Sequence, residues 1–269
     1  MRRSCAHPAL ALIAAALLAA CSDSSAPPGD PTDQLTADLA VVAADAAYED
    51  VGTIYMYQRE LGAAVGDIGR LGLFTDRACP YDATSQRFVC PTVTRDHLTL
   101  TRSYAFADAT DAAQSAYDPV TTASANFKSS LTGTVSRDDW TGTIERLRDF
   151  TVSGLAGNET QHTVNGEGSN TNGRSQHTDR GTRSYEMSDV ATFANVVVPF
   201  PRTRGAWPLS GTITRVITVT FESDRGTQTR ERTATLTFNG TRFARLVIGD
   251  HTFVLDLATG RIGRPDAAR

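Results

Sequence analysis

The alternation of Ile213, Ile217, Val219 and Phe221 with Thr212, Thr214, Thr218 and Thr220 constrains this chain more than any other stretch. A period of two puts one row of side chains in a core and threonine on the opposite face, so the segment reads as a strand. Asp224-Arg225-Gly226 then turns the chain into a partner strand over Thr227–Phe238. On that strand Ala234, Leu236 and Phe238 share one side, which Arg230 and Arg232 continue toward the turn. Further turns at Asn239-Gly240 and Gly249-Asp250, with Phe253, Leu255 and Leu257 after them, close a meander of hairpins.

The same chemistry extends upstream. Leu98–Phe106, Asn126–Ser136 and Thr141–Leu155 read as long strands, with Asp108–Asp111 and Asp118-Pro119 as turns between them. A short pattern recurs in Leu131-Thr132-Gly133-Thr134-Val135, Trp140-Thr141-Gly142-Thr143-Ile144 and Leu209-Ser210-Gly211-Thr212-Ile213, and more loosely in Phe238-Asn239-Gly240-Thr241. Glycine at a strand entry permits a bulge or a sharp coil, and the irregular spacing rules out a propeller or solenoid. The expected fold is therefore mainly β: a long antiparallel meander forming a strongly curved sheet or half-open barrel, with one N-terminal α-helix packed on it.

That helix is predicted over about residues 31–49. Asp30-Pro31-Thr32-Asp33 supplies an N-cap, a proline at the first position and an acid in the first turn. Leu35, Leu39, Val42 and Ala46 form the stripe expected to face the sheet, with Asp38 and Asp45 off it. From Val51 to Gly72, five glycines break the pattern, and a loose connection with a short helical turn is expected. Gly157–Ser184 has Val164 as its only large apolar residue. It reads either as a polar hairpin overhanging the domain, turning at Gly166, Gly168 and Gly173, or as a strand pair with one face in a polar, water-filled concavity.

The first residues carry an address. Met1-Arg2-Arg3 is a cationic start, and Ala9–Ala20 is an apolar run that falls short of the ~20 residues a membrane span requires. It ends in Leu18-Ala19-Ala20-Cys21, which resembles the lipobox of bacterial lipoproteins. The resemblance implies removal of residues 1–20, attachment of a diacylglycerol to the Cys21 sulfur, and anchoring by two or three acyl chains. Ser22, where an inner-membrane retention signal would have aspartate, implies the outer membrane, with the domain in the periplasm or at the surface. Residues 21–29 are too poor in apolar side chains to pack and read as a lipidated tether, leaving 30–269 as a single domain.

Loss of the signal removes two arginines and no acid, so the formal charge moves from -4 to about -6. An acidic balance with a single lysine, Lys128, argues against nucleic acid as a partner. With Cys5 removed and Cys21 lipidated, Cys79 and Cys90 are left to each other. They flank the turn-forming Pro80-Tyr81-Asp82-Ala83-Thr84-Ser85, and a structural disulfide across a hairpin is expected.

Several blocks together resemble a recurring group of β-rich bacterial lipoproteins with no assigned activity. They are the Cys90-Pro91 pair, Gln114–Asp118 with Thr121–Ser124, Phe150–Gly157, Trp207–Thr212 and Asp256–Gly260. The resemblance implies no activity.

The chain has no phosphate-binding Gly-rich loop, no Gly-x-Ser-x-Gly elbow and no His-Glu-x-x-His helix. Asp96-His97 and His177-Thr178-Asp179 place acids beside histidines, and only His177 and Asp179 would share a strand face. His162 and His177 would make a metal pair only if their strands form one hairpin in the right register. Asp138-Asp139 and Glu145 suit a turn and a surface better than paired catalytic carboxylates. No catalytic residue, cofactor or metal is expected. The function read from the sequence is a non-enzymatic, lipid-anchored envelope module, structural or binding a protein or glycan. The alternatives are a carrier or chaperone of lipid-like ligands in a half-barrel and, more remotely, a hydrolase.

Overall fold

Among the described residues fourteen strands make one antiparallel sheet. They are β1 (Tyr81–Asp82), β2 (Arg87–Val89), β3 (Val93–Arg95), β4 (Leu98–Asp108), β5 (Ala113–Gln114), β6 (Thr122–Arg137), β7 (Trp140–Ser153), β8 (Gln161–Thr178), β9 (Gly181–Pro199), β10 (Ser210–Ser223), β11 (Gly226–Thr237), β12 (Phe243–Ile248), β13 (His251–Asp256) and β14 (Ile262–Gly263). The order is β1-β2-β4-β6-β7-β8-β9-β10-β11-β12-β13-β14, with β3 and β5 both paired to β4, and the ends do not meet. The sheet is thus the expected meander, open and not closed into a barrel.

This computed structural model describes residues 43–44, 46–55, 79–137, 140–157, 159–178, 181–201, 203, 205–223 and 226–263. Of these, only the backbone is described at 137, 140, 174–178, 181–185, 221–223 and 228. The signal, the lipobox with Cys21, the tether and the first part of the expected helix lie outside the described residues.

The alternation read from β10 is observed: Ile213 and Ile217 are buried on one face, and the strand register aligns Ile213 with Phe193 and Leu236 in the inner layer. Hydroxyl side chains dominate the outer layer, as expected where an antiparallel sheet has only one covered face. Gly211 sits at a register shift between β9 and β10, where a Cβ would lie 2.2 Å from the Asn195 carbonyl oxygen. One of the recurring glycine motifs therefore does mark a bulge, which bends the sheet.

The helix α1, described over 43–44 and 46–55, covers the inner face. Two details differ from the sequence reading. The helix does not stop near 49 but continues over Gly52 to residue 55, because Val51, Ile54 and Tyr55 are buried against the sheet and outweigh one glycine, which costs about 1 kcal/mol. Among the described residues the buried positions are Ala43, Ala44, Ala47, Asp50, Val51, Ile54 and Tyr55, a stripe turned by about one residue from the expected one. Alanine stands on both sides of the helix here, so the alanines alone do not mark the buried side; Asp50, Val51, Ile54 and Tyr55 all lie on it.

Within Gly157–Ser184 the glycines Gly166, Gly168 and Gly173 are not the turns of an overhanging hairpin, and the inner face of β8 is buried at His162, Val164, Gly168 and Asn170. Gly166, Gly168 and Gly173 all lie inside β8, which pairs along its length with β7 and β9 in the middle of the sheet. The disulfide between Cys79 and Cys90 is present and spans the β1–β2 hairpin as expected.

Candidate functional site

Three cross-strand rows define the floor beneath α1. The first runs Phe150, Gly166, Phe193, Ile213, Leu236; the second Arg148, Gly168, Ala191, Arg215, Ala234; the third Arg146, Asn170, Asp189, Ile217, Arg232. The middle row sets two arginines three strands apart, about 14 Å along the sheet, with only a glycine and an alanine between them. Into that gap α1 lowers Asp50, which has no exposed surface.

Asp50 is held from both sides. Arg148 Nη2 donates to Asp50 Oδ1 at 2.9 Å, and Arg215 Nη2 donates to Asp50 Oδ2. Each guanidinium is also held by the sheet itself. Arg148 Nη1 donates to the carbonyls of Leu147 at 2.8 Å and Ser169 at 3.1 Å. Arg215 Nη1 donates to Asp189, whose two carboxylate oxygens also accept from Asn170 Nδ2 at 3.0 and 2.9 Å. Burial alone would push the Arg215 pKa down, but the attraction and hydrogen bonds of Asp50 and Asp189 prevail and raise it.

Glycine is a steric requirement at two positions here. A Cβ on Gly168 would stand 2.9 Å from Arg148 Cδ, and one on Gly166 would stand 2.1 Å from the Asp149 carbonyl oxygen and 2.8 Å from Phe150 Cα. The poverty of β8 in large side chains is thus the space that Phe150 and Arg148 occupy. At the edge of the network Arg146 Nη1 pairs with Glu49 at 2.8 Å. Burial raises the Glu49 pKa more than the charge of Arg146 lowers it.

The opposite face carries the other feature. Leu147, Val190 and Val216 stand exposed in a single row with Ser130, Ser169 and Thr233, on a face otherwise dominated by hydroxyls. Beside the row lies an open groove of about 650 Å3, whose walls include Arg87, Lys128, Asp149, Glu167, Leu147 and Val190. Lys128 pairs with Asp149 at 2.9 Å, and Arg87 Nη1 donates to Asn126 at 2.8 Å.

The residues singled out in the sequence fall elsewhere. His162 and His177 occupy one strand, fifteen residues and about 50 Å apart, so they are not brought together as a pair across a hairpin. His162 is buried and stacks on Phe200 with ring centroids 4.3 Å apart. Its Nδ1 has no hydrogen-bond partner, and burial lowers its pKa to about 4. The His177 side chain, Asp138, Asp139 and Asp179 lie outside the described residues. Asp96 and His97 are exposed at the β3–β4 turn, and Glu145 is exposed on the outer face.

Other aspartates serve turns. Asp108 accepts from Thr110 N and Oγ1 and Ala112 N; Asp118 accepts from Val120 N and Thr121 N; these hydrogen bonds hold both pKa values down. Asp256 is held at about 2, chiefly by the hydrogen-bonded Arg242. Among the described residues no group of three or more His, Cys, Asp or Glu is placed to hold a metal ion.

Sequence reasoning missed the ion network, although three strands carry its signature. In β7, β9 and β10 the alternation inverts at one level, with Arg148, Asp189 and Arg215 in core phase and Leu147, Val190 and Val216 in solvent phase. Comparison of the chain with models of known families, with curated proteins and with solved structures finds no match in any of the three.

Proposed function

We propose that this chain is a lipid-anchored protein of the bacterial cell envelope whose β-rich domain, not an enzyme, binds a protein or glycan partner across the outer face of its sheet. The lipobox resemblance at Leu18–Cys21 supports the anchor and, with Ser22, the outer membrane. The observation that carries the binding role is the aligned aliphatic row Leu147, Val190 and Val216 beside the groove. Large aliphatic side chains gain nothing on a solvated threonine face unless something covers them. The buried charges support a non-enzymatic reading, because Asp50, Asp189, Arg148 and Arg215 neutralise one another.

Membrane-fraction protein from a Gram-negative host tests the anchor by intact mass. A chain beginning at Cys21 with added acyl mass is expected, and Cys21→Ser should move the protein to the soluble periplasmic fraction. A Cys21→Ser chain that stays in the membrane sinks the anchor. For the binding role, purified peptidoglycan sacculi and outer-membrane proteins are the probes. The triple change Leu147→Thr, Val190→Thr and Val216→Thr should abolish capture without lowering the melting temperature, and equal capture by both chains refutes the outer face.

A further inference from the structure

The charge balance beneath α1 points to a second site, on the other face of the sheet and independent of the outer-face reading. Arg148 is oriented by two carbonyls of the sheet, and Arg215 by Asp189, itself held by Asn170. Neither orientation needs α1. At the seat itself Arg148 and Arg215 against Asp189 leave one net positive charge, which Asp50 cancels, while Arg146 at its edge is paired separately with Glu49 of α1. The seat between them is cleared by Gly168 and Ala191 and bordered by buried Phe150, Phe193, Ile213 and Ile217.

We propose that Arg148 and Arg215 form a carboxylate-binding site built by the sheet, which Asp50 fills as an internal ligand and which takes an aliphatic monocarboxylate when α1 lifts away. The chemistry selects the ligand class. A carboxylate matches the two donors that Asp50 now engages, one Nη2 from each arginine onto each oxygen, whereas a neutral headgroup leaves the seat charged and a dianion overcompensates it. An aliphatic body suits the surrounding floor. The helix is a competitor a ligand can displace, because three of its seven buried residues are alanines, Ala43, Ala44 and Ala47, each burying little area, and its ion network roughly offsets its own desolvation cost.

The test uses the whole chain carrying Cys21→Ser, so that no acyl chain of its own competes. Laurate, dodecanol and dodecyl phosphate are titrated at pH 8 by calorimetry, with hydrogen exchange followed in residues 43–55. Saturable one-to-one binding of laurate is expected, with at least tenfold faster exchange in α1 and at least tenfold weaker binding of the other two probes. Asp50→Asn, which removes the internal carboxylate, should bind laurate at least tenfold more tightly, and Arg215→Met should lose binding. No saturable laurate binding to either the parent or Asp50→Asn, dodecanol bound as well as laurate, or laurate bound with α1 exchange unchanged each overturns the proposal. Should Asp50→Asn fail to fold, the exchange measurement on the parent decides alone.

Discussion

The buried carboxylate of Asp50 joins α1 to two arginines of the sheet, and its environment fixes what its loss costs. Desolvating two arginines and two aspartates costs several kcal/mol per ion, which their mutual attraction roughly offsets, so the intact network adds little net stability. Breaking it is another matter. Arg215→Met leaves Asp50 with Arg148 alone and deprives Asp189 of its arginine partner, and should destabilise the domain by about 3–5 kcal/mol in urea unfolding. Replacing Asp50, Arg148, Asp189 and Arg215 together by Leu, Met, Leu and Met should recover most of that loss. A quadruple variant no more stable than Arg215→Met would show that the geometry of the network, and not its charge balance, holds the fold. His162 gives the pH dependence. Its folded pKa of about 4 lies below the ordinary histidine value, so the folded state resists protonation, and the stability it permits is whole above about pH 6.5 and falls as pH drops toward 4. His162→Phe keeps a ring against Phe200 and should flatten the stability profile over that window, measured by urea midpoints at half-unit steps.

At the level of the element, steric demand and conformational preference separate three glycines of one chain. Gly52 is exposed in α1 with nothing near its missing Cβ, so Gly52→Ala should stabilise the domain by about 0.5–1 kcal/mol. Gly168→Ala meets a side chain that must shift, and Gly166→Ala meets backbone at positive φ. The expected order of melting temperatures is Gly52→Ala above the parent, then Gly168→Ala, then Gly166→Ala, and a Gly166→Ala chain as stable as the parent would contradict the packing of Phe150 across β8. These glycines also show why part of the structure was legible in the sequence and part was not. Strands such as β10 declare themselves because apolar side chains supplied by the strand itself fill its inner face. β8 does not, since its inner face is filled by Phe150 from β7 and Phe193 from β9, and a strand that lends space to its neighbours reads as a polar loop. The continuation of α1 past residue 49 was hidden for a related reason: Gly52 signals a break locally, while Val51, Ile54 and Tyr55 are secured by contacts far along the chain. The site was present as inverted alternation at Arg148, Asp189 and Arg215, but only the register shows that the three inversions stand side by side.

For the whole molecule, the contrast is between neighbour-to-neighbour pairing in the sheet and the long-range reach of α1. Every central ladder joins strands consecutive along the chain from β6 to β14, whereas Asp50 reaches Arg148 and Arg215, 98 and 165 residues away. The helix therefore ties β7 to β10 and makes the middle of the sheet one cooperative unit. The β1–β2 hairpin lies at an edge, joined to the rest by a short ladder onto β4, by Phe88 stacked on Tyr104 at 4.7 Å and by Arg87 bonded to Ser103 and Asn126, while the Cys79–Cys90 bridge closes the hairpin on itself. Closing so short a loop restricts the unfolded chain by about 3 kcal/mol in the loop-entropy account. That figure applies to global stability only if the hairpin unfolds together with the centre. At an edge held by few contacts, reduction should instead let the hairpin open first, as local unfolding permits. Hydrogen exchange in β1 and β2 should then rise at least tenfold on reduction while β7–β10 stay unchanged, and the urea midpoint should move by less than the loop entropy alone implies. If β7–β10 lose protection in step with β1 and β2, the bridge belongs to the same cooperative unit as the ion network, and the separation of edge from centre is wrong.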